Sequence, residues 1–376
     1  MTSYNRHSNS RSGKVLTTVL LTIVCIAAVL FVFERLTGLL TAKGSTNTAY
    51  DFSNCVYYDS LNDDDKELYE MFYDLVMHKD ERGYKRKISM DRFEFATRED
   101  DIVPIYHSML SDHPEFFFLE GATGRDLDIR GIKIGFVSAL TFSLYPGSPD
   151  ENEMIAKFDK ATANFLSDID LNASDPEIEL QIHDKLIDTV TYDYDLLERD
   201  LMEGDLGHTA YGALVVDSNG LSHRAVCDGY AKAFQYLLRQ AGISASVVSG
   251  QADSETGTLS EQGSHAWNIV ELDGEWYEVD CCWDDIDPPP EAPDDPFYKI
   301  IKYQQPQYDN ATHHWYNRTT EQMKHLPGAM NAAIRVQQGS MFYELDNCGP
   351  SSHVRDPELN LPIAYGTKYS GVPASD

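Results

Sequence analysis

Two strand-like runs, Ser264 to Leu272 and Glu275 to Asp280, are separated only by Asp273-Gly274. A two-residue Asp-Gly connection is the strongest short-range hairpin signal, because its turn needs positive φ at both central positions. Such a hairpin has one register: Leu272 faces Glu275, so Trp267 faces Asp280 and His265 faces Cys282. His265 and Asp280 then share a face as diagonal neighbours, roughly 7 Å apart at the backbone and within reach for an imidazole and a carboxylate. A slip of one residue would put them on opposite faces.

Upstream, Tyr230, Ala231, Phe234, Leu237, Leu238 and Ala241 recur at helical spacing, and Gly242 stands where a left-handed C-terminal cap is expected. Cys227 therefore lies in a first helical turn. There the unpaired N–H groups and the positive end of the dipole favour thiolate over thiol, and the same groups can receive a developing oxyanion. Asp280 would orient His265, and the other ring nitrogen would take the proton of Cys227, which is the arrangement of a nucleophilic triad.

Within His208 to Asp285 the segments HTAYGAL, VCDGYAKAFQYLLRQAGI, SHAWNIV, DGEWYEVD and WDD follow one another. In this order they resemble the transglutaminase-like superfamily, whose core is a papain-like cysteine-enzyme fold. The resemblance implies Cys227 as nucleophile, His265 as base and Asp280 as its orienting partner, with no metal and no organic cofactor. It leaves the reaction open, since the superfamily includes transglutaminases, peptidases and proteins without activity. The polar loop Val215 to Ala225 is longer than in the bacterial relatives, and Cys282 stands where threonine often precedes the family's tryptophan, beside Cys281. With Cys282 opposite His265, a reversible Cys227–Cys282 disulfide is one reading and a small buried side chain the other. Tyr211 falls where an oxyanion-stabilising side chain can arise; its alternative is a tyrosine packed under the nucleophile helix.

Val15 to Phe33 is an uncharged, mainly apolar run, and a bilayer-spanning helix needs about 20 residues. Arg6, Arg11 and Lys14 precede it, which by the positive-inside rule leaves the N-terminus in the cytoplasm and the remaining chain outside. A cleavable signal peptide is the rival, but its apolar region is shorter and no clear small-x-small site follows. The net charge of -31 repels nucleic acid and anionic lipid. The partners expected are the membrane, through this helix, and an extracellular protein or peptide substrate, with cell-envelope proteins as candidates.

The expected fold class is α+β: a papain-like, transglutaminase-like core with its nucleophile helix packed on an antiparallel sheet, preceded by a mainly helical region and an N-terminal transmembrane helix. The divisions read are 1–14 cytoplasmic, 15–34 anchor, 35–60 stalk, 61–195 mainly helical, 196–300 catalytic core and 301–376 C-terminal extension. Helical spacing marks Leu68 to Val76, Ile102 to Leu110 and Met154 to Leu166, and a capping box of Ser174 with Glu177 opens a further helix. Phe116 to Leu119 and Ile132 to Leu144 read as strands, Asp284 to Pro296 as an acidic, proline-rich loop, and the chain beyond Cys348 as an extended tail.

Other signals are weaker. Asp168, Asp170, Asn172 and Glu179 imitate a calcium loop, but the sixth position is Ala173 rather than glycine and Pro176 takes the ninth. His313 and His314, being adjacent, project differently and have no spaced partners in the sequence, so metal is not expected there. The functions expected are acyl transfer through a Cys227 thioester, with a cysteine peptidase or deamidase as one alternative and a non-catalytic adhesion or scaffold module as another.

Overall fold

The computed structural model describes residues 50–78, 85–89, 99–119, 127–134, 137–144, 151–193, 196, 206–216, 223–253, 263–285, 311–325, 334–338, 341–345, 352–356 and 360–370. The expected cytoplasmic segment 1–14 and anchor 15–34 lie outside these residues. No helix among the described residues is long and apolar enough to cross a membrane.

The stalk expected over 35–60 ends early. Phe52, Cys55, Val56 and Tyr57 are buried, the last two in α1 (Val56–Ser60), and the Tyr57 hydroxyl donates to the Val247 carbonyl at 3.1 Å. These apolar side chains find sheet and helix surface to cover, which a reading of polar composition passes over. In α2 (Asp63–Met77) the Asn62 side chain accepts from the N–H groups of Asp64 and Asp65, and three aspartates occupy the first turn, where the dipole favours them. Its Leu68, Phe72 and Leu75 share a core with Ile102, Ile105, Tyr106 and Met109 of α3 (Glu99–Asp112). The strands β1 (Lys85–Ser89), β2 (Leu127–Ile134) and β3 (Val137–Leu144) form an antiparallel sheet in the order β1-β3-β2.

Phe116 to Leu119 is a correction: Pro114–Leu119 is a 3₁₀ helix, and all four residues are buried. A continuous apolar run carries no period that separates strand from helix, and Pro114 suits the first turn. Then come α4 (Glu151–Leu166) and α5 (Asp175–Thr189), the latter opened by the expected capping box, with Ser174 N–H donating to Glu177 Oε2 at 3.0 Å.

A short parallel pair, β4 (Thr191–Tyr192) with β5 (Arg224–Ala225), and the single turn α6 (Ala210–Leu214) lead into α7 (Cys227–Gln240). Gly242 has φ +89°, and Gly242 N–H and Ile243 N–H donate to the carbonyls of Arg239 and Leu238, a Schellman cap as the sequence predicts. At the other end Gly229 is required: a Cβ there would lie 2.4 Å from the Gly207 carbonyl oxygen. That close approach lets the turn before α6 press on the first turn of α7, where Cys227 sits.

The helix lies on an antiparallel sheet of β6 (Ala245–Asp253), β7 (Gly263–Leu272) and β8 (Glu275–Val279). Asn268 Nδ2 donates to the Ala231 carbonyl at 2.8 Å, fixing helix to sheet. The Asp273-Gly274 turn has φ of 52° and 80°, and Leu272 pairs with Glu275 through to Asn268 with Val279. The predicted register is therefore the observed one, but the ladder stops at Val279. Asp280 leaves it to cap α8 (Cys281–Asp284), accepting from Trp283 N–H at 3.0 Å. Cys282 is consequently in a helical turn and not opposite His265.

Past α9 (Thr320–His325) and the antiparallel pair β9 (Ile334–Gln338) and β10 (Met341–Leu345), the expected tail contains β11 (Ser352–Arg355). It pairs antiparallel with β6, giving the order β11-β6-β7-β8. Arg355 also reaches the buried Glu278 of β8, Nη2 to Oε1 at 2.7 Å. Four residues with one inward histidine are too short for alternation to be read, so only the sheet edge reveals them as a strand.

Candidate active site

Bringing the hairpin and α8 together places His265 Nε2 2.7 Å from Asp280 Oδ2. His353 on β11 puts its own Nε2 2.9 Å from the same oxygen. With Trp283 N–H on Oδ1, the fully buried carboxylate is an acceptor of three N–H bonds, and both imidazoles must carry their proton on Nε2 to serve it. The indole of Trp283 packs on the His265 ring at 4.9 Å, and those of Trp267, Trp283 and Trp315 surround His353 at 5.0, 4.5 and 4.5 Å.

Burial disfavours charge on His265, but the Asp280 carboxylate, the hydrogen bond to it and the neighbouring Cys227 outweigh that and raise the imidazole to about 10. Asp280 moves the other way: burial opposes ionisation, yet His265 and His353 hold it well below the usual carboxylate range. Burial lowers His353, and the hydrogen bond to Asp280 offsets this only in part. His353 is thus the neutral donor of the pair and His265 the charged one.

Cys227 opens α7 as expected, is partly buried, and packs beside Ala231, Val247 and Ala266. Its thiol neighbours the His265 ring and is among the groups that raise it. Asp280 engages Nε2, which leaves Nδ1 as the ring nitrogen available to take a proton from sulfur. All three sequence-predicted residues, Cys227, His265 and Asp280, meet at one place. The other described cysteines there are poor nucleophiles, because burial pushes Cys281 and Cys282 well above the ordinary thiol value. Cys55, Cys227, Cys281 and Cys282 are free thiols.

Three remaining expectations fall differently. The Tyr211 ring packs against Phe117 at 4.8 Å and stacks on Phe158 at 6.4 Å, the packed arrangement that is the alternative reading. Glu179 is buried and accepts from Tyr316 Oη at 2.7 Å and Asn317 Nδ2 at 2.9 Å, which takes the twelfth position of the calcium-like loop into the core. His313 does have partners, His183 and Asp184, brought from the far side of the sequence by α5.

A family model described as the transglutaminase-like superfamily matches residues 165–281. Residues 165–281 are a transglutaminase-like core. This core begins at Phe165, thirty-one residues ahead of the boundary expected at 196, and so includes α5, which packs on α7. It ends at Cys281, just after Asp280, leaving His353 beyond it. Two curated relatives, the Kyphoscoliosis peptidases of Homo sapiens and Mus musculus, are each 41% identical over 61 residues. The match takes in 15% of this chain, which spans 9% of the length of those relatives. A solved structure described as that of a TGase is 12% identical at a TM-score of 0.28, covering 56% of each chain.

Among the residues of the site, sequence reasoning missed His353. The Ser352-His353-Val354-Arg355 stretch has no turn signal or apolar run that marks it, and its partner strand lies about a hundred residues upstream. The transglutaminase-like core is thereby completed by a strand from outside the matched region.

Proposed function

We propose that the chain is a thiol-dependent acyl-transfer enzyme whose nucleophile is Cys227. The observation that carries this reading is the sulfur at the start of α7 beside an imidazole whose Nε2 is tied to a buried carboxylate. The thiolate attacks the carbon of a carboxamide or peptide carbonyl, and the oxygen takes up negative charge toward the first-turn N–H groups of α7. Collapse of that adduct forms the thioester and breaks the C–N bond. His265, now imidazolium, gives its proton to the departing ammonia or amine. A primary amine or a water molecule then attacks the thioester, with the neutral imidazole taking the proton and Cys227 leaving as thiolate.

The amine route makes the protein a transglutaminase and the water route a peptidase or deamidase. The name of the Kyphoscoliosis peptidases favours water as the second reading. The setting that fits the apolar run at 15–34 is a single-pass anchor with its N-terminus in the cytoplasm and the catalytic part outside, acting on extracellular protein or peptide. Incubating the full chain with a glutamine-containing protein and a labelled primary amine, read by mass spectrometry, tests the reaction. Amine incorporation, deamidation or cleavage that disappears in Cys227→Ala supports it, and none of the three products across a broad protein set returns the weight to a scaffold module. Protease added to intact cells should digest epitopes after Lys43 and spare one placed before Lys14.

A further inference from the structure

A carboxylate between two imidazoles occurs a second time, away from the thiol. Asp184 Oδ1 lies 3.1 Å from His183 Nδ1 and 2.6 Å from His313 Nε2. Each ring is held from behind, His183 Nε2 by Asp284 Oδ2 at 3.2 Å and His313 Nδ1 by the Thr312 hydroxyl at 3.1 Å. The three converging atoms all lie within 4.8 Å of one another. His183 is fully buried, His313 is 15% exposed and Asp184 is 46% exposed, so the group opens to solvent on the carboxylate side.

We propose that His183, Asp184 and His313 bind one divalent transition-metal ion of the zinc class, with water completing the coordination. Two imidazole nitrogens and one carboxylate oxygen suit zinc, whereas calcium and magnesium call for oxygen ligands. Ligands at about 2.0–2.1 Å from a tetrahedral ion lie about 3.3 Å apart, close to the His183–Asp184 spacing. The shorter His313–Asp184 contact would open by less than about 1 Å to admit the ion. Metal-ligating histidines almost always direct their other ring nitrogen to a carboxylate or another acceptor, which fixes the tautomer. Asp284 and Thr312 stand in those positions for both rings. On binding, each imidazole coordinates through its neutral nitrogen and releases any proton that nitrogen had shared with Asp184.

The ion would join α5 to the segment 312–318. Asp284, behind His183, also accepts from Trp315 N–H at 2.9 Å through Oδ1, and it ends the helical turn that Asp280 begins. The metal therefore braces the turn that presents the catalytic carboxylate without touching sulfur. His314 plays no part, its ring lying against Trp315 at 5.0 Å.

The test uses the untagged full chain, stripped with a chelator, desalted, and titrated with zinc chloride by calorimetry and with cobalt chloride by visible absorption. One equivalent of zinc, a tetrahedral cobalt band and a melting temperature several degrees higher with metal are expected. His313→Gln and Asp184→Asn should each weaken zinc binding by at least the roughly 10–100-fold that loss of an outer-shell partner costs, while Cys227→Ala and His314→Gln bind as the native chain does. Asp184 is half exposed, so its variant reports on binding even where a His313 change disturbs folding. Zinc binding well below stoichiometric, or equal binding by the native chain and by folded Asp184→Asn, overturns the site.

Discussion

Two clusters in this protein have the same composition, one aspartate between two histidines, and they differ in what closes them. Around Asp280 three indole rings pack on His353 and the carboxylate is fully buried, so its charge can be answered only by the N–H groups aimed at it. Around Asp184 the carboxylate is half exposed and the rings are braced by Asp284 and Thr312. The same donor set thus fixes an imidazole where water is excluded and, in the site proposed above, meets an ion where water enters. Asp280 and Asp284 bracket one short helix, so the two clusters share a support.

The sharpest way to break this comparison is to exchange which cluster controls the thiol. Cys227→Ala should abolish labelling by iodoacetamide at that position and all turnover. Asp280→Asn should lower turnover on the order of ten-thousandfold while the domain stays folded by circular dichroism. Asp184→Asn, being in the other cluster, reaches Cys227 only through the short helix that the two clusters share, and should leave its alkylation within about threefold. A large loss in Asp184→Asn with full activity in Asp280→Asn would reverse the assignment of the two clusters.

A smaller effect concerns what keeps β11 in place. The Arg355 guanidinium is the partner of a buried carboxylate, Glu278, which also accepts from Trp267 Nε1 at 2.6 Å. Arg355→Met leaves that charge without its cation, at a cost of about 3–5 kcal/mol. Urea denaturation should show this loss. The rate of Cys227 alkylation should fall with it, because His353 sits two residues away on the same strand. An unchanged midpoint would mean that the ion pair is not what holds the strand.

Legibility in the sequence follows the range over which each feature is determined. The hairpin register, the Gly242 cap, the Ser174 capping box and the first-turn position of Cys227 are set within a few residues, and all four stand as read. The pairing of Asp280 with His265 also stands, although by a different route: the carboxylate reaches the ring from a helix cap rather than from the next strand. A turn of four residues after a strand has no apolar period, so alternation alone carries Cys282 onto the strand and not into the turn where it lies. The burial of Tyr57 and Glu179 and the arrival of His353 and His313 depend on contacts across 73 to 190 positions. No local pattern encodes those.

The finest test separates the two histidines of the candidate active site by pH. His265 is faced by Asp280, Cys227 and, across the shared oxygen, His353. If its protonated form is the acid that releases the amine, activity should fall as pH rises toward about 10. Removing the charge in Asp280→Asn leaves burial dominant, so the alkaline limb of the residual activity should move down. His353→Phe acts in the opposite direction. It removes one of two donors from Asp280 Oδ2, leaving a less neutralised carboxylate that holds the His265 proton more firmly, so the limb should stay or move up. The ring would also be less well fixed, and kcat should fall by about 10–100-fold with KM little changed. Stability has a matching sign: the folded value of His265 lies above its ordinary 6.5, so its stabilisation is complete below that pH and is lost as pH rises toward about 10. His353→Phe should keep that decline and Asp280→Asn should flatten it. A His353→Phe limb displaced downward like that of Asp280→Asn would show that His353 supports the charge on His265 itself, and not the position of Asp280.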